Sequence, residues 1–241
     1  MKLIISRNVY QTNNDFFKVI NEMKNDIEGI SIEVILTKDG IPIVMSPSTS
    51  DSLNSQIIKS IQSTNFNDIT EYEVLTLSTT LNMLRGVIKK IIINFIPMST
   101  VPLAQNIEAV NEFNKRQVEE LYKVLDQYPD LNIYVSSISH NIIFHINNRH
   151  SNNKVGVIIT PYETNYIDVD FYIFSPGLLS LPLLKQQLRF NKEVMVASRD
   201  CEDLMHIYNF FNTISNPERN IIFNATSFIS NYPIIIYNLF N

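Results

Sequence analysis

Eight short runs of apolar, largely β-branched residues are separated by stretches of helical periodicity. This alternation constrains the fold more than any other feature of the chain. The runs are KLIIS (2–6), SIEVIL (31–36), KKIIINFI (89–96), LNIYVSS (131–137), KVGVIIT (154–160), DFYIFS (170–175), EVMVAS (193–198) and NIIFN (220–224). They are near-continuous rather than alternating, the pattern of strands covered on both faces in a parallel sheet. Between them, NNDFFKVINEMKND carries Phe16, Phe17, Ile20 and Met23 as one apolar stripe, and NKRQVEELYKVLDQY carries Val118, Leu121, Val124 and Leu125 on one face. ISHNIIFHINNRH, LPLLKQQLRF, CEDLMHIYNFFNTI and SFISNYPIIIYNLF read as further helices. Eight strands with helices after most of them predict an α/β fold, a single (β/α)8 TIM barrel in one domain over residues 1–241. An open doubly wound sheet is the alternative. It normally carries a glycine-rich phosphate turn after its first strand, and SRNVYQTNND at that point has no glycine.

A hydrophobic fraction of 45% over 241 residues is ample for one large core. The net charge of −5, with 19 Lys and Arg and no long basic run, lacks the footprint of a nucleic-acid binder. The start, MKLIISRNVY, has too short an apolar run for a signal peptide, and no stretch approaches the ~20 apolar residues of a spanning helix. The lone cysteine, Cys201, excludes an internal disulfide and fits a reducing compartment. The expected location is cytoplasmic, with no membrane span.

In a barrel of this kind, functional groups gather where strands end and the following loops begin. Those positions hold Ser6 and Arg7, Glu33, Ser46, Asn94, Ser136 and Ser137, Thr160, Ser175, Ser198 with Arg199 and Asp200, and Asn224. This rim is polar but nearly uncharged. The segment IEVILTKDGIPIVMSP (32–47) reads as strand, Lys-Asp-Gly turn, strand, with Glu33 near its start. Asp39 belongs to that turn.

The same segment resembles the strand-two signature of the glycerophosphodiester phosphodiesterases: acid, spacer, acid, then Thr-Lys-Asp-Gly and a returning arm. DITEYEVLTLSTTLNML, VSSISHNIIFHINNRHSNNKVGVII and EVMVASRDCEDLMHIYNFFN followed by NIIFN are similar, in order, to later elements of that family. The resemblance covers nearly the whole chain. It implies a TIM barrel of the phospholipase C-like phosphodiesterase type with a short insertion at about residues 47–75.

For chemistry, the resemblance implies a loss. The family's His-Arg pair after strand one corresponds to Ser6-Arg7, and its second catalytic histidine to Ser46. Its acid-x-acid metal pair corresponds to Glu33 and Ile35, and its strand-three acid and lysine to Asn94 and Ile96. Phosphodiester hydrolysis of this type needs a hard cation held by several oxygen ligands and groups that titrate near the working pH. Glu33 with an Asn94 amide makes a poor cation set, and serine does not titrate there. The expected protein is therefore a catalytically inactive homologue with a binding or regulatory role and no required cofactor. Arg7, Glu33 and Asn94 remain as ligand-binding candidates, for a phosphate- or polyol-containing small molecule or a protein partner. Glu33, Ile35 and Asn94 mark the vestigial metal positions. The alternative is an active phosphoric diester hydrolase of lipid or glycerophosphodiester metabolism with an altered site, which would need Ca²⁺ or Mg²⁺.

Other signals have plainer readings. Glu33 is either a remnant ligand or the partner of Arg7 across neighbouring strands, burying both charges together. His140, His145 and His150 step round a helix rather than sharing a face. Cys201, followed by Glu202 and Asp203, is an inert thiol.

Overall fold

The computed structural model describes residues 2–7, 12–45, 55–70, 74–98, 107–149, 151–160, 167–233 and 235–236. Eight parallel strands form a closed barrel: β1 (Lys2–Ser6), β2 (Gly29–Leu36), β5 (Ile91–Phe95), β6 (Ile133–Ser137), β7 (Lys154–Ile159), β8 (Phe171–Phe174), β9 (Glu193–Ser198) and β10 (Thr226–Ser230). Pairing of β1 with both β2 and β10 closes it. Two short strands, β3 (Pro42–Val44) and β4 (Leu75–Thr76), extend β2 in antiparallel fashion.

Helices follow the strands on the outside: α1 (Asn13–Met23), α2 (Ser55–Gln62), α3 (Leu77–Leu84), α4 (Ile107–Leu125), α5 (His140–Asn147), α6 (Leu181–Arg189), α7 (Cys201–Asn212) and α8 (Asn216–Ala225). Their starts follow local chemistry. The hydroxyls of Thr12, Thr76 and Ser139 and the carboxylate of Asp200 each accept a first-turn backbone N–H, at Asp15, Thr79, Ile142 and Asp203. The insertion expected at about 47–75 coincides with the segment holding α2, a 3₁₀ turn at Phe66–Asp68 and β4; residues 46–54 and 71–73 lie outside the described residues.

The period of two along each strand sorts the barrel into two faces. Outward residues such as Ile32, Val34, Ile93, Phe95 and Val135 pack with the helices in the main core. Inward residues Ile4, Ile92, Tyr134, Phe171, Ile173, Met195 and Ile229 fill the interior. The N-terminal end of the barrel is closed by charge. Lys90 Nζ donates to Glu28 Oε1 at 3.2 Å and to Glu193 Oε2 at 2.9 Å, and lies 4.3 Å from the Tyr134 ring centroid. Lys154 and the Tyr134 hydroxyl also donate to Glu193, and Ser227 donates to Glu28.

One strand expectation is corrected. NIIFN (220–224) lies within α8, and the eighth barrel strand is Thr226–Ser230. Asn224 is therefore a helical residue and not part of the rim. SFISNYPIIIYNLF is likewise not one helix, because it begins inside β10.

Candidate functional site

The barrel's C-terminal mouth on the β1–β2–β5–β6 side is built from inward residues. Ser6 pairs in register with Ser31, Glu33 with Asn94, and Asn94 with Ser136, so these five positions share the inner face. Asn94 sits at the centre. Its Nδ2 donates to Ser31 Oγ at 3.0 Å, and its Oδ1 accepts from Ser136 Oγ at 2.6 Å. Each end of the amide is thereby held in place, with one N–H and one carbonyl lone pair left over for a further partner. Ser31 is absent from the rim candidates. It lies two residues before Glu33 on the same strand, and strict alternation along β2 is the signal that places it on this face.

Above this polar layer the wall becomes apolar. The β2–β3 hairpin rises past the rim, with Met45 N donating to the Glu33 carbonyl at 2.9 Å. The inner face of the hairpin carries Ile35 and Ile43, packed with Met45 and Ile61 of α2 as a cluster separate from the other two cores. Ile96, Ile57, Ile58 and Phe66 join it. Ile35 is 0% exposed. The hairpin turn fixes the arm. Gly40 takes φ +81°, Thr37 Oγ1 donates to Asp39 Oδ1 at 2.6 Å, and Phe66 N donates to the same Asp39 oxygen at 3.0 Å. The Thr37 hydrogen bond is the main reason that the Asp39 carboxyl sits below its ordinary range. Asp39 is thus the turn residue that the sequence indicated.

Arg7 starts from the outer side of β1. It is 2% exposed, donates to Asn13 Oδ1 at 2.5 Å, and its guanidinium carbon lies 4.9 Å from the Phe16 ring centroid on α1. Glu33 lies on the inner side of β2, so a pairing of the two has to run over the strand ends. Ser137 and Ser198 are buried and serve their neighbours. Ser137 Oγ donates to the Phe95 carbonyl at 2.8 Å, and Ser198 Oγ to Ser230 Oγ at 3.0 Å. Ser46 and His150 lie outside the described residues. Cys201 is the exposed first residue of α7. Among the described residues, no three His, Cys, Asp or Glu side chains group closely enough to hold a metal ion, and no helix is long and apolar enough to cross a membrane.

Solved structures share this fold over nearly their whole length. A glycerophosphodiester phosphodiesterase from Parabacteroides distasonis superposes with a TM-score of 0.70 at 14% identity, covering 99% of this chain and 95% of its own. The chain has the fold of the glycerophosphodiester phosphodiesterases. A phosphodiesterase from Oleispira antarctica, in complex with the product sn-glycerol-3-phosphate, gives a TM-score of 0.64 at 13% identity, with 99% and 96% covered. A glycerophosphodiester phosphodiesterase from Agrobacterium tumefaciens gives 0.56 at 15% identity, with 99% and 98% covered. No family model and no curated protein matches the sequence. Within the phosphodiesterase fold, the strand-two and strand-three positions that the sequence resemblance assigns to metal and phosphate chemistry are the ones just described. Glu33 and Asn94 line the mouth, while Ile35 and Ile96 belong to the apolar cluster beneath the arm.

Proposed function

We propose that this chain is a catalytically inactive relative of the glycerophosphodiester phosphodiesterases, whose barrel mouth binds a small polyol- or phosphate-bearing molecule without hydrolysing it. The observation that carries the proposal is the state of positions 35 and 94. Ile35 is sealed in an apolar cluster, and position 94 holds a neutral amide, oriented by Ser31 and Ser136, in place of a carboxylate. A divalent cation needs several free oxygen ligands, with carboxylates prominent among them. Glu33 is the single carboxylate among the positions compared, so the donor set does not fit Ca²⁺ or Mg²⁺. Ser6, at the position of the first histidine, cannot accept and return a proton near neutral pH.

The neutral hydroxyl and amide groups of the mouth, with Glu33 beside them, suit a ligand that exchanges hydrogen bonds, such as a glycerol moiety. The Oleispira antarctica phosphodiesterase is described in complex with sn-glycerol-3-phosphate, which motivates that compound as the first probe.

The test has two arms. Glycerophosphocholine turnover is measured with excess Mg²⁺, Ca²⁺ or Mn²⁺, and none is expected above a Glu33→Gln control. Turnover that disappears in that control overturns the proposal and supports the alternative, an active phosphoric diester hydrolase with an altered site. In the second arm, sn-glycerol-3-phosphate and glycerol are titrated while barrel-mouth resonances are followed. Saturable shifts weakened by Glu33→Gln or Asn94→Leu are expected, and their absence would remove the ligand-binding role.

A further inference from the structure

On the outside of the barrel, α6 and α8 leave a groove that shares no residue with the mouth and that the proposed function does not use. Lys185 and Arg189 stand one helical turn apart on α6 and form a ridge with an apolar hollow on each side. The hollow toward α8 has a volume of about 280 Å³ and is walled by Leu188, Ile221 and Ile222. The hollow on the other side has a volume of about 480 Å³ and is walled by Leu181, Pro182 and Phe190. Two of these side chains are far more open to water than their size warrants: Phe190 is 64% and Ile221 is 68% exposed. The hollow toward α8 alone lies just under the usual lower size of a small-molecule site, room for one short hydrocarbon chain.

The charges along the ridge are unequal. Lys185 is already met by Glu218 through an ion pair. Among the described residues, Arg189 has no carboxylate partner. A solvent-exposed guanidinium with no ion-pair partner among the described residues therefore borders both hollows, while the Glu218 carboxylate that lines the α8 hollow is already neutralised by Lys185. The complementary occupant carries one anionic group at the end of a flexible hydrocarbon. The guanidinium is suited to this because it grips a carboxylate through two parallel N–H donors.

We propose that the α6–α8 groove binds a free medium-chain carboxylate, with its head group on Arg189 and its hydrocarbon tail against Leu188, Ile221 and Ile222. Burial of each added methylene tightens binding about fourfold until the hollow is full. Charge selects the head group, and chain length sets the affinity.

The experiment uses the whole chain and isothermal titration below the micelle concentration with octanoate, decanoate, decanol and decyltrimethylammonium. Decanoate is expected to bind saturably, about tenfold or more tighter than octanoate. Decanol is expected to be weaker, and the cationic amphiphile not to bind. Arg189→Gln should bring decanoate down to the level of decanol, while Ile221→Asp should abolish binding of both. Both residues are exposed, and an unchanged circular dichroism melt would confirm that the variants fold. Equal binding of decanoate and decanol, or insensitivity to Arg189→Gln, overturns the proposal. So does adsorption to anionic phosphatidylglycerol vesicles without a saturable decanoate site, which would make the patch a membrane-contact surface. The outcome does not depend on the barrel mouth.

Discussion

Replacing Ile35 by Asp asks whether the position that the resemblance assigns to a metal ligand is a latent site or part of a core. Ile35 is 0% exposed and packs against Ile43, Met45 and Ile61. Deleting a buried isoleucine side chain costs about 2–5 kcal/mol, and an unpartnered polar group in its place adds about 1–3 kcal/mol. The expected loss is therefore about 3–8 kcal/mol, a large share of the ~5–15 kcal/mol that holds a typical domain folded. The sign with pH follows from burial. An aspartate carboxyl at this point would have its pKa raised above the unfolded value. The penalty is then smallest below the unfolded pKa, where the group is neutral in both states, and grows as pH rises toward the folded pKa. Ile35→Asn isolates the pH-dependent part, because it loses the same packing and buries a polar group but does not titrate. The assay is urea unfolding from pH 4 to 8, with and without millimolar Ca²⁺ or Mg²⁺, on Ile35→Asp, on Ile35→Asn and on the double variant Ile35→Asp with Asn94→Glu. No cation response is expected from any of them. A double variant stabilised by about 2.7 kcal/mol at a cation concentration a hundred times its Kd would refute the reasoning, since residues 33, 35 and 94 would then converge on one point. A single aspartate variant within about 1 kcal/mol of wild type would refute it equally.

The charged closure at the other end of the barrel makes the fold acid-sensitive. Burial works to raise the Glu193 carboxyl, but hydrogen bonds from Lys154 and Lys90 outweigh it and hold the group at about 2, against an ordinary value of 4.5. A depressed carboxyl contributes stability above its unfolded pKa and loses it as pH falls from about 4.5 toward 2. Discounted because the side chain is 35% exposed, the contribution is about 1–2 kcal/mol. Glu193→Gln should flatten the fall in urea midpoint between about pH 5 and about pH 2.5, and an unchanged slope would show that the group does not titrate this way. Lys90 is only 5% exposed at its side chain, so Lys90→Met removes a shared partner from two carboxylates and should cost about 3–5 kcal/mol. Adding Glu193→Gln should recover part of that loss, and strict additivity would argue against a coupled network. Gly156→Ala would drive a methyl group into the Phe171 ring inside the barrel, at a cost of about 1–3 kcal/mol by thermal melt; a neutral result would mean that the ring has room to move.

The sequence reading of the fold succeeded where strands are apolar on both faces and failed where they are not. KLIIS, EVMVAS and their like stand out because both the interior and the helix layer are hydrocarbon. The eighth strand, TSFIS, carries three hydroxyl residues, and structure is needed to see why they are tolerated. Thr226 donates to the Ile222 carbonyl, Ser227 to Glu28, and Ser230 pairs with Ser198. With its polar groups satisfied in place, the strand has no apolar signature. NIIFN has that signature but follows Pro217, which occupies the first turn of α8. Short apolar runs do not distinguish strand from helix by period alone, and a proline at the start of a helical stretch is the local evidence that decides this one.

The site was legible by position and not by environment. The sequence listed Glu33 and Asn94 as strand-end positions, and the register sets them opposite each other on neighbouring strands. What no spacing could tell is what surrounds each side chain. Ile35 and Ile96 looked like two separate losses, but they meet in one cluster with Ile57, Ile58 and Ile61 of α2. This changes the meaning of the substitutions. An arm packed dry against isoleucines is stable only while both positions stay apolar, because Ile35→Asp or Ile96→Lys alone would bury a charge with no partner. Recovering a cation site would require new acids at 35 and 94, a release of the Asn94 bridge between Ser31 and Ser136, and a rebuilt face on α2, all together. Each step alone destabilises. The apolar arm is thus a physical barrier to regaining, one substitution at a time, the acids and lysine that the resemblance assigns to these positions.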